Sequence, residues 1–565
     1  MARLTRTDLL AADAVWLFVL TYAGQTYYIA TERADISSVS PAGNSTLSFR
    51  PGLTPLTDIV QALAIVTSAP ELRSVALEFW WDDQRNAKDI ATLIEEGHDL
   101  AAARGEVALW VRGTQWEDRL VVVVGRCREP EYGARGEPIS LTVEDEPLDD
   151  LAFLVDATVN SEAWPLALDE HYGDVYPFVF GAPGVFQALD GTTFYCPGSP
   201  AICVQQTAKK AETLLIAGHH VAATLVYITY NTGSSSGWED EGPFSVTNTF
   251  DGVGRPCATV DVTGASLTLQ EAGEYYTAWS GGAAAYDRFG TGALQSAGQL
   301  LRNLAAASTV SVDAAAFAAV ADRLPWLVAG FIDDPEVSPL QYLQDVVLPM
   351  LPVGLMIGDS GGLAPVLWRY DATQADAIDH LEVGPGVSRV SRVRYERPPR
   401  EIAQRIHCSF AIDGATDRPH LHYELHPERS LTEESTSAFA IASARRYVFP
   451  GEVLRSLEIE LPIVWSASTA ARVAHWRIRR DGYAPRLVEY DVLADRGWLR
   501  PGDVVTVTDS ELAWVTIVAL IVERRVSDIG VWRLTLQILD PLVSGSNTKG
   551  PGANGAPTWT PPGGN

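Results

Sequence analysis

The chain is poor in lysine. Only Lys88, Lys209, Lys210 and Lys549 occur, and the other permanently cationic side chains are all arginine. A GC-rich genome produces that bias, so alone it assigns no function. It does bear on contacts, because a guanidinium makes bidentate pairs and stacks on aromatic rings. Cysteine is scarce and odd in number, five residues, which excludes a fully paired disulfide framework. Cys196 and Cys203 bracket a Pro-Gly turn at a spacing unlike that of a zinc ribbon, and Cys127, Cys257 and Cys408 stand alone. All five are expected as thiols, in a reducing compartment. Met1 to Leu10 has no signal-peptide apolar core. No run reaches the roughly 18–20 apolar residues of a membrane helix. The richest, Val346 to Ile357, is broken by Pro349 and Pro352. The expectation is folding in a cytoplasm, with no membrane insertion of its own.

Signatures of chemistry are missing too. There is no H-E-x-x-H helix and no Walker loop, and Gly252-Val-Gly254 has no helix signal after it. Carboxylates abound, at Asp82-Asp83, Glu95-Glu96, Glu144-Asp-Glu146 and Asp333-Asp334. A glycosidase needs two at a defined separation, so abundance alone points to no acid pair. The reading is therefore no enzyme and no cofactor. One cluster stands out, His420-Leu-His422-Tyr-Glu-Leu-His426. On a strand, His420 and His422 share a face, and His426 or Glu424 could complete a metal shell. The plainer reading, a solvated strand, assigns no metal.

What is present is acid. The formal charge of −29 repels DNA and anionic membranes, although an acidic wall can let DNA slide past without sticking. Against that background two arginine-rich stretches are candidate inter-subunit contacts. One holds Arg389, Arg392, Arg394, Arg397, Arg400 and Arg405, and the other Arg472, Arg477, Arg479 and Arg480. Positive charge gathered in an acidic chain suits docking between copies. Of the sixteen tryptophans, most belong to cores, and Trp80, Trp81 and Trp238 could serve an interface.

With 565 residues the chain is too long for one core. Residues 1–150 read as a β domain with one helix: strands at Val15 to Tyr22 and Gln25 to Thr31 flank an Ala23-Gly24 turn. A strand at Arg73 to Trp81 precedes a helix over 86–103, and strands at 106–111, 120–126 and 138–143 follow. Residues 151–285, with short strands at 213–217, 224–230 and 258–262 and a Gly233-Ser-Ser-Ser-Gly237 turn, read as a β-sandwich or barrel. Residues 286–385 turn helical, with Leu294, Ala297, Leu301 and Leu304 at helical spacing and Asp313 capping a second helix. Ser338-Pro339-Leu340-Gln341 starts a third as a capping box, and a hairpin turns at Gly358-Asp-Ser-Gly-Gly362. Residues 386–543 read as a β domain with one helix, Ser468 to Arg480, stopped by Gly482. A flexible Gly/Pro tail occupies 544–565. The class is mainly β with α+β insertions, in several domains.

The order in the last block has a likeness. The Ala/Arg helix, then Arg486-Leu-Val-Glu-Tyr-Asp-Val492, then Leu499-Arg-Pro-Gly-Asp-Val-Val-Thr-Val507 resembles the C-terminal part of baseplate hub proteins of tailed bacteriophages. Ser338 to Arg369, with Leu348-Pro ahead of a Gly-rich hairpin, is similar to their middle region. Val175-Tyr-Pro-Phe-Val-Phe-Gly181, and Gly125-Arg126 through Tyr132-Gly133 to Glu144, resemble parts of tail-tip proteins. The resemblance implies β-barrel domains of tail-hub type, arranged as a homotrimeric ring below the tail tube around a DNA channel. It implies as partners tail tube and distal tail proteins, a tape measure protein and tail fibres or spikes, with DNA passing without sequence-specific binding. It implies a virion protein that carries no catalytic residue. The competing reading is a multidomain β protein that binds or cleaves carbohydrate.

Overall fold

The computed structural model describes residues 14–539 apart from short interruptions, the longest at 66–72, 81–93, 266–274 and 280–293. Residues 86–93 of the helix expected over 86–103, the turn at 233–237 and the tail from 544 lie outside the described residues, as do Trp81 and Arg400; over 96–103 only Leu100–Ala102 is helical, as a short 3-10 helix.

A period of two governs the first block. Ser74–Phe79 buries Val75, Leu77 and Phe79 and exposes the residues between, and Ile139–Asp145 alternates in the same way. Eight strands form one sheet in the order 34–40, 43–51, 25–30, 14–22, 104–111, 120–132, 139–145, 74–79. Ala23 and Gly24 turn the expected hairpin with φ of 47° and 74°. Two positive values are what a tight two-residue turn needs to match the strands' twist.

The second block closes on itself. Six antiparallel strands, 199–207, 210–217, 256–261, 238–250, 225–231 and 275–279, form a closed barrel in that order. Closure leaves no exposed edge to pair with strangers. Leu214, Ile216, Val226, Ile228, Val260 and Trp279 fill the interior. Between sandwich and barrel, the chain takes the barrel.

Helices cluster next. Helix α1 (Ala297–Ala307) starts in a full capping box, Ser296 with Gln299. In helix α2 (Ala314–Ala321) Asp313 accepts from the Ala316 N–H at 3.0 Å. Helix α3 (Pro339–Tyr342) begins as expected, with Ser338 Oγ accepting from Gln341 N–H at 3.1 Å. Its other orphan donor is met from afar: Leu340 N–H donates to Asp150 Oδ2 at 2.9 Å.

The last block holds two sheets. One runs 379–382, 504–509, 514–528, 531–538, 486–493, 387–389, and the other 434–436, 419–426, 405–412, 456–461. Helix α4 (Ala438–Tyr447) and helix α5 (Ala467–Asp481) accompany the second sheet. Gly482 ends α5, its N–H reaching Ile478 O at 2.9 Å.

The blocks interleave. Val60–Ala62 pairs with the strand at 514–528, setting Gln61 opposite Arg524. Ala64–Ile65 pairs with the strand at 353–357. One apolar core joins Trp16, Phe18 and Phe79 to Tyr490, Trp532 and Leu534. All five cysteines are buried and unbridged. Burial pushes the Cys127, Cys257 and Cys408 thiols up to about 12, which leaves them unreactive at neutral pH.

A charge pair sits beside that junction. Arg73 and Asp145, 2% and 0% exposed at their side chains, meet at 2.8 Å. Arg73 donates from Nε and Nη2 to the two carboxylate oxygens, and Nη2 reaches the carbonyl of Gly358 at 2.9 Å. Removing one partner leaves the other charge buried and unpaired. Asp145→Ala is therefore expected to cost about 3–5 kcal/mol, read as a lower denaturant midpoint. A midpoint within experimental error of wild type would contradict this account.

Candidate assembly interface

The first arginine stretch divides by position. Arg389 closes the short strand Val387–Arg389, and its guanidinium spans Asp509, at 3.3 Å, and Glu511. Tyr490 OH donates to the same Asp509 carboxylate at 3.1 Å. Arg397 pairs with Asp481 at 3.1 Å, and Arg405 pairs with Glu424. These cations are held within the chain. Arg392 and Arg394 are exposed, with Arg394 3.5 Å from Glu489. Around them Val390 and Tyr395 are exposed as well, Tyr395 at 65%. The strands 387–389 and 394–395 both pair with 486–493, at the edge of the sheet that starts at 379–382. An edge carrying exposed arginine and tyrosine has the composition of a protein contact.

The second stretch lies on α5 and turns inward. Arg477 donates to Asp481 at 2.6 Å and to the Pro349 carbonyl at 3.2 Å. Arg479 is buried over the Tyr370 ring, 4.9 Å from its centroid. Arg480 stands 5.8 Å over Trp476, and burial lowers it to about 10. Arg472 is half-buried. On the same helix, burial and Arg479 push His475 down to about 4. Spacing along the sequence could not separate these two arginine stretches; only the edge position of one and the packed helix of the other do.

Two histidines of the 420–426 cluster, His420 and His422, go separate ways. His420 faces Asp413 at 3.2 Å and stacks on Phe186. His422 meets His407 and Ser409 of the neighbouring strand. Among the described residues no three metal-ligating groups converge.

Beside the barrel lies a polar network that sequence reasoning missed. Tyr176 OH donates to Asp251 at 2.8 Å and accepts from the Trp164 indole at 2.6 Å. Asp251 also accepts from Arg255 N–H and Nε, both at 2.8 Å, and from Val253 N–H at 3.0 Å. The residues behind the network, Tyr176, His219 and Arg255 with Phe178 and His220, line a cavity of about 390 Å3. His219 has a defined tautomer there: its Nε2 accepts from Val179 N–H, so Nδ1 carries the proton donated to the His220 carbonyl. The only local signal was Asp251 ahead of Gly252, Gly254 and Arg255, a turn that offers a carboxylate several N–H donors.

Burial works to raise Asp251, but the donors from Arg255, Tyr176 and Val253 outweigh it and hold the carboxyl below its ordinary range. A depressed folded-state value means the stabilisation is complete above the unfolded pKa of about 4 and fades as pH falls through the folded one. The stability gap between wild type and Asp251→Asn is accordingly expected at about 2 kcal/mol from pH 7 to pH 5, shrinking below about pH 4. Thermal unfolding across that range measures it, and a gap that widens on acidification would reverse the assignment.

Comparisons with known proteins come down to one sequence match. Residues 433–520 match the model of the family described as "Putative phage tail protein". Helix α5 and the Pro-Gly-Asp turn into the strand at 504–509 lie inside that match. No curated protein matches the chain. Among solved structures it is similar to the 43 kDa tail protein of prophage MuSo2 from Shewanella oneidensis, at 12% identity and a TM-score of 0.36, covering 93% of this chain and 98% of that one. It is similar to a tail protein from Neisseria meningitidis MC58, at 10% identity and a TM-score of 0.38, covering 94% and 97%. A chain of a native gene transfer agent virion aligns at 14% identity and a TM-score of 0.35, covering 71% and 89%. At those scores the superpositions establish neither fold nor function.

Proposed function

We propose that this protein is a structural component of a phage tail tip or baseplate, a homotrimeric hub that closes the tail tube around a channel for DNA. The observation that carries the assembly step is the exposed edge at 387–395, where the side chains of Arg392, Arg394 and Tyr395 are all exposed. The rest of the surface supplies its complement, since the chain carries a net charge of −29. The same acidity suits a lumen through which DNA passes without being held. The hub folds in the host cytoplasm and works in the virion. Its neighbours are tail tube and distal tail proteins, the tape measure protein, and fibres or spikes. The role needs no catalysis and no cofactor. Among the described residues, no helix is long and apolar enough to cross a membrane. A second reading, carbohydrate binding, is favoured only by the cavity beside the barrel that Tyr176, His219 and Arg255 line.

Absolute mass by light scattering tests the hub. Three times the chain mass of 61.1 kDa is expected, and Arg392→Glu with Arg394→Glu should shift it toward the monomer with the circular dichroism unchanged. A monomer at all concentrations, alone and mixed with tail tube protein, removes the hub reading. A trimer that survives both substitutions moves the contact away from this edge. Glycan binding abolished by Tyr176→Ala would bring the second reading forward.

A further inference from the structure

The outer face of the four-stranded sheet at 405–461 gathers histidines from two strands. Ile406, Cys408 and Phe410 point into the core, so His407 and Ser409 point outward. On the next strand Leu425 faces the core and His422 is exposed. The register sets Ser409 opposite His422 and His407 opposite Glu424, which makes His407 and His422 diagonal neighbours. Their rings lie 5.1 Å apart, with Nε2 of His407 3.2 Å from Nδ1 of His422. On the other flank Glu458 pairs in register with His407 and Glu460 with Ser409. The Glu458 carboxylate is 3.9 Å from His407 Nε2 and 69% exposed, and it accepts from Ser456 Oγ at 2.8 Å.

Hydrogen bonding cannot serve this cluster fully. Ser409 Oγ also approaches His422 Nδ1, at 3.1 Å. A ring nitrogen offers one lone pair or one proton, so Nδ1 can satisfy one neighbour and not both. A cation between the rings uses both lone pairs at once and frees the serine. The separation fits: two nitrogens bound about 2.0–2.1 Å from a tetrahedral zinc stand roughly 3.3 Å apart. Imidazole suits zinc, copper and nickel.

We propose that His407 and His422 form a two-histidine site for a divalent transition-metal ion of the zinc class, with water in the remaining positions. The ion would clip the strand at 405–412 to the strand at 419–426 on their solvent face. This site is independent of the 387–395 edge.

Calorimetric titration of the chelator-washed, untagged full-length protein with Zn2+ tests it. One ion per chain is expected in the tightest step. His407→Ala and His422→Ala should each weaken that step about ten-fold or more, and the double variant little beyond either single one. His98→Ala, away from the sheet, should leave it unchanged. His422→Gln keeps a polar side chain beside Ser409 and serves if the alanine variant fails to fold. Visible absorption of Co2+ should change on binding to wild type, and that change should be lost in His422→Gln. Indistinguishable titrations of wild type and the His407/His422 double variant would overturn the site.

Discussion

The charge pair of Arg73 and Asp145 holds three separate parts of the chain to one geometry. Arg73 leads into the strand at 74–79, Asp145 ends the strand at 139–145, and Gly358 lies in the hairpin of the helical block. Taking two ions out of water costs several kcal/mol each, and only good geometry with further hydrogen bonds offsets it. The offset exists only while all three parts are assembled. An apolar contact weakens by degrees as its partners move, whereas this pair tolerates little movement. It therefore favours one arrangement of the first sheet against the hairpin, and the short strands at 60–62 and 64–65 lie within the span that Arg73 helps to anchor.

Charge elsewhere is sorted by depth. Several arginines of the last block are spent inside: Arg477 on Asp481, Arg479 over Tyr370, Arg389 on Asp509. Guanidinium groups suit such places because their planar fork pairs and stacks while staying charged. With those cations consumed internally, the outer surface is left dominated by carboxylates. The exposed arginines at 392 and 394 then stand out locally, which net charge alone would not reveal.

Much of the architecture was legible because the strands alternate. Val15 to Tyr22, Gln25 onward, Arg486 to Val492 and the last two strands read directly from β-branched and aromatic runs. The strands at 34–40 and 43–51 did not, since serine, asparagine and glycine leave few apolar positions to count. Ser338-Pro339 announced a helix start, but its partner Asp150 could not be seen, because 190 residues separate it from Leu340. The same limit governs the sites. His420 and His422 share a strand face as period two demands, yet the nitrogen that meets His422 belongs to His407, and only the register supplies it. The arginines of α5 and those of the edge look alike in sequence. Depth, which periodicity in a basic helix reports poorly, separates them.

The pairing of Gln61 with Arg524 has a consequence for synthesis. The N-terminal segment leaves the ribosome long before its partner strand exists. At about 5–20 residues per second, tens of seconds pass between the two. During that interval the apolar face that Trp16, Phe18 and Phe79 present to Tyr490 and Trp532 has no cover. Non-local pairing of this kind makes folding slow and leaves the nascent chain prone to aggregation. The time for which that face stays open is thus set by the order in which the two ends of the chain are made.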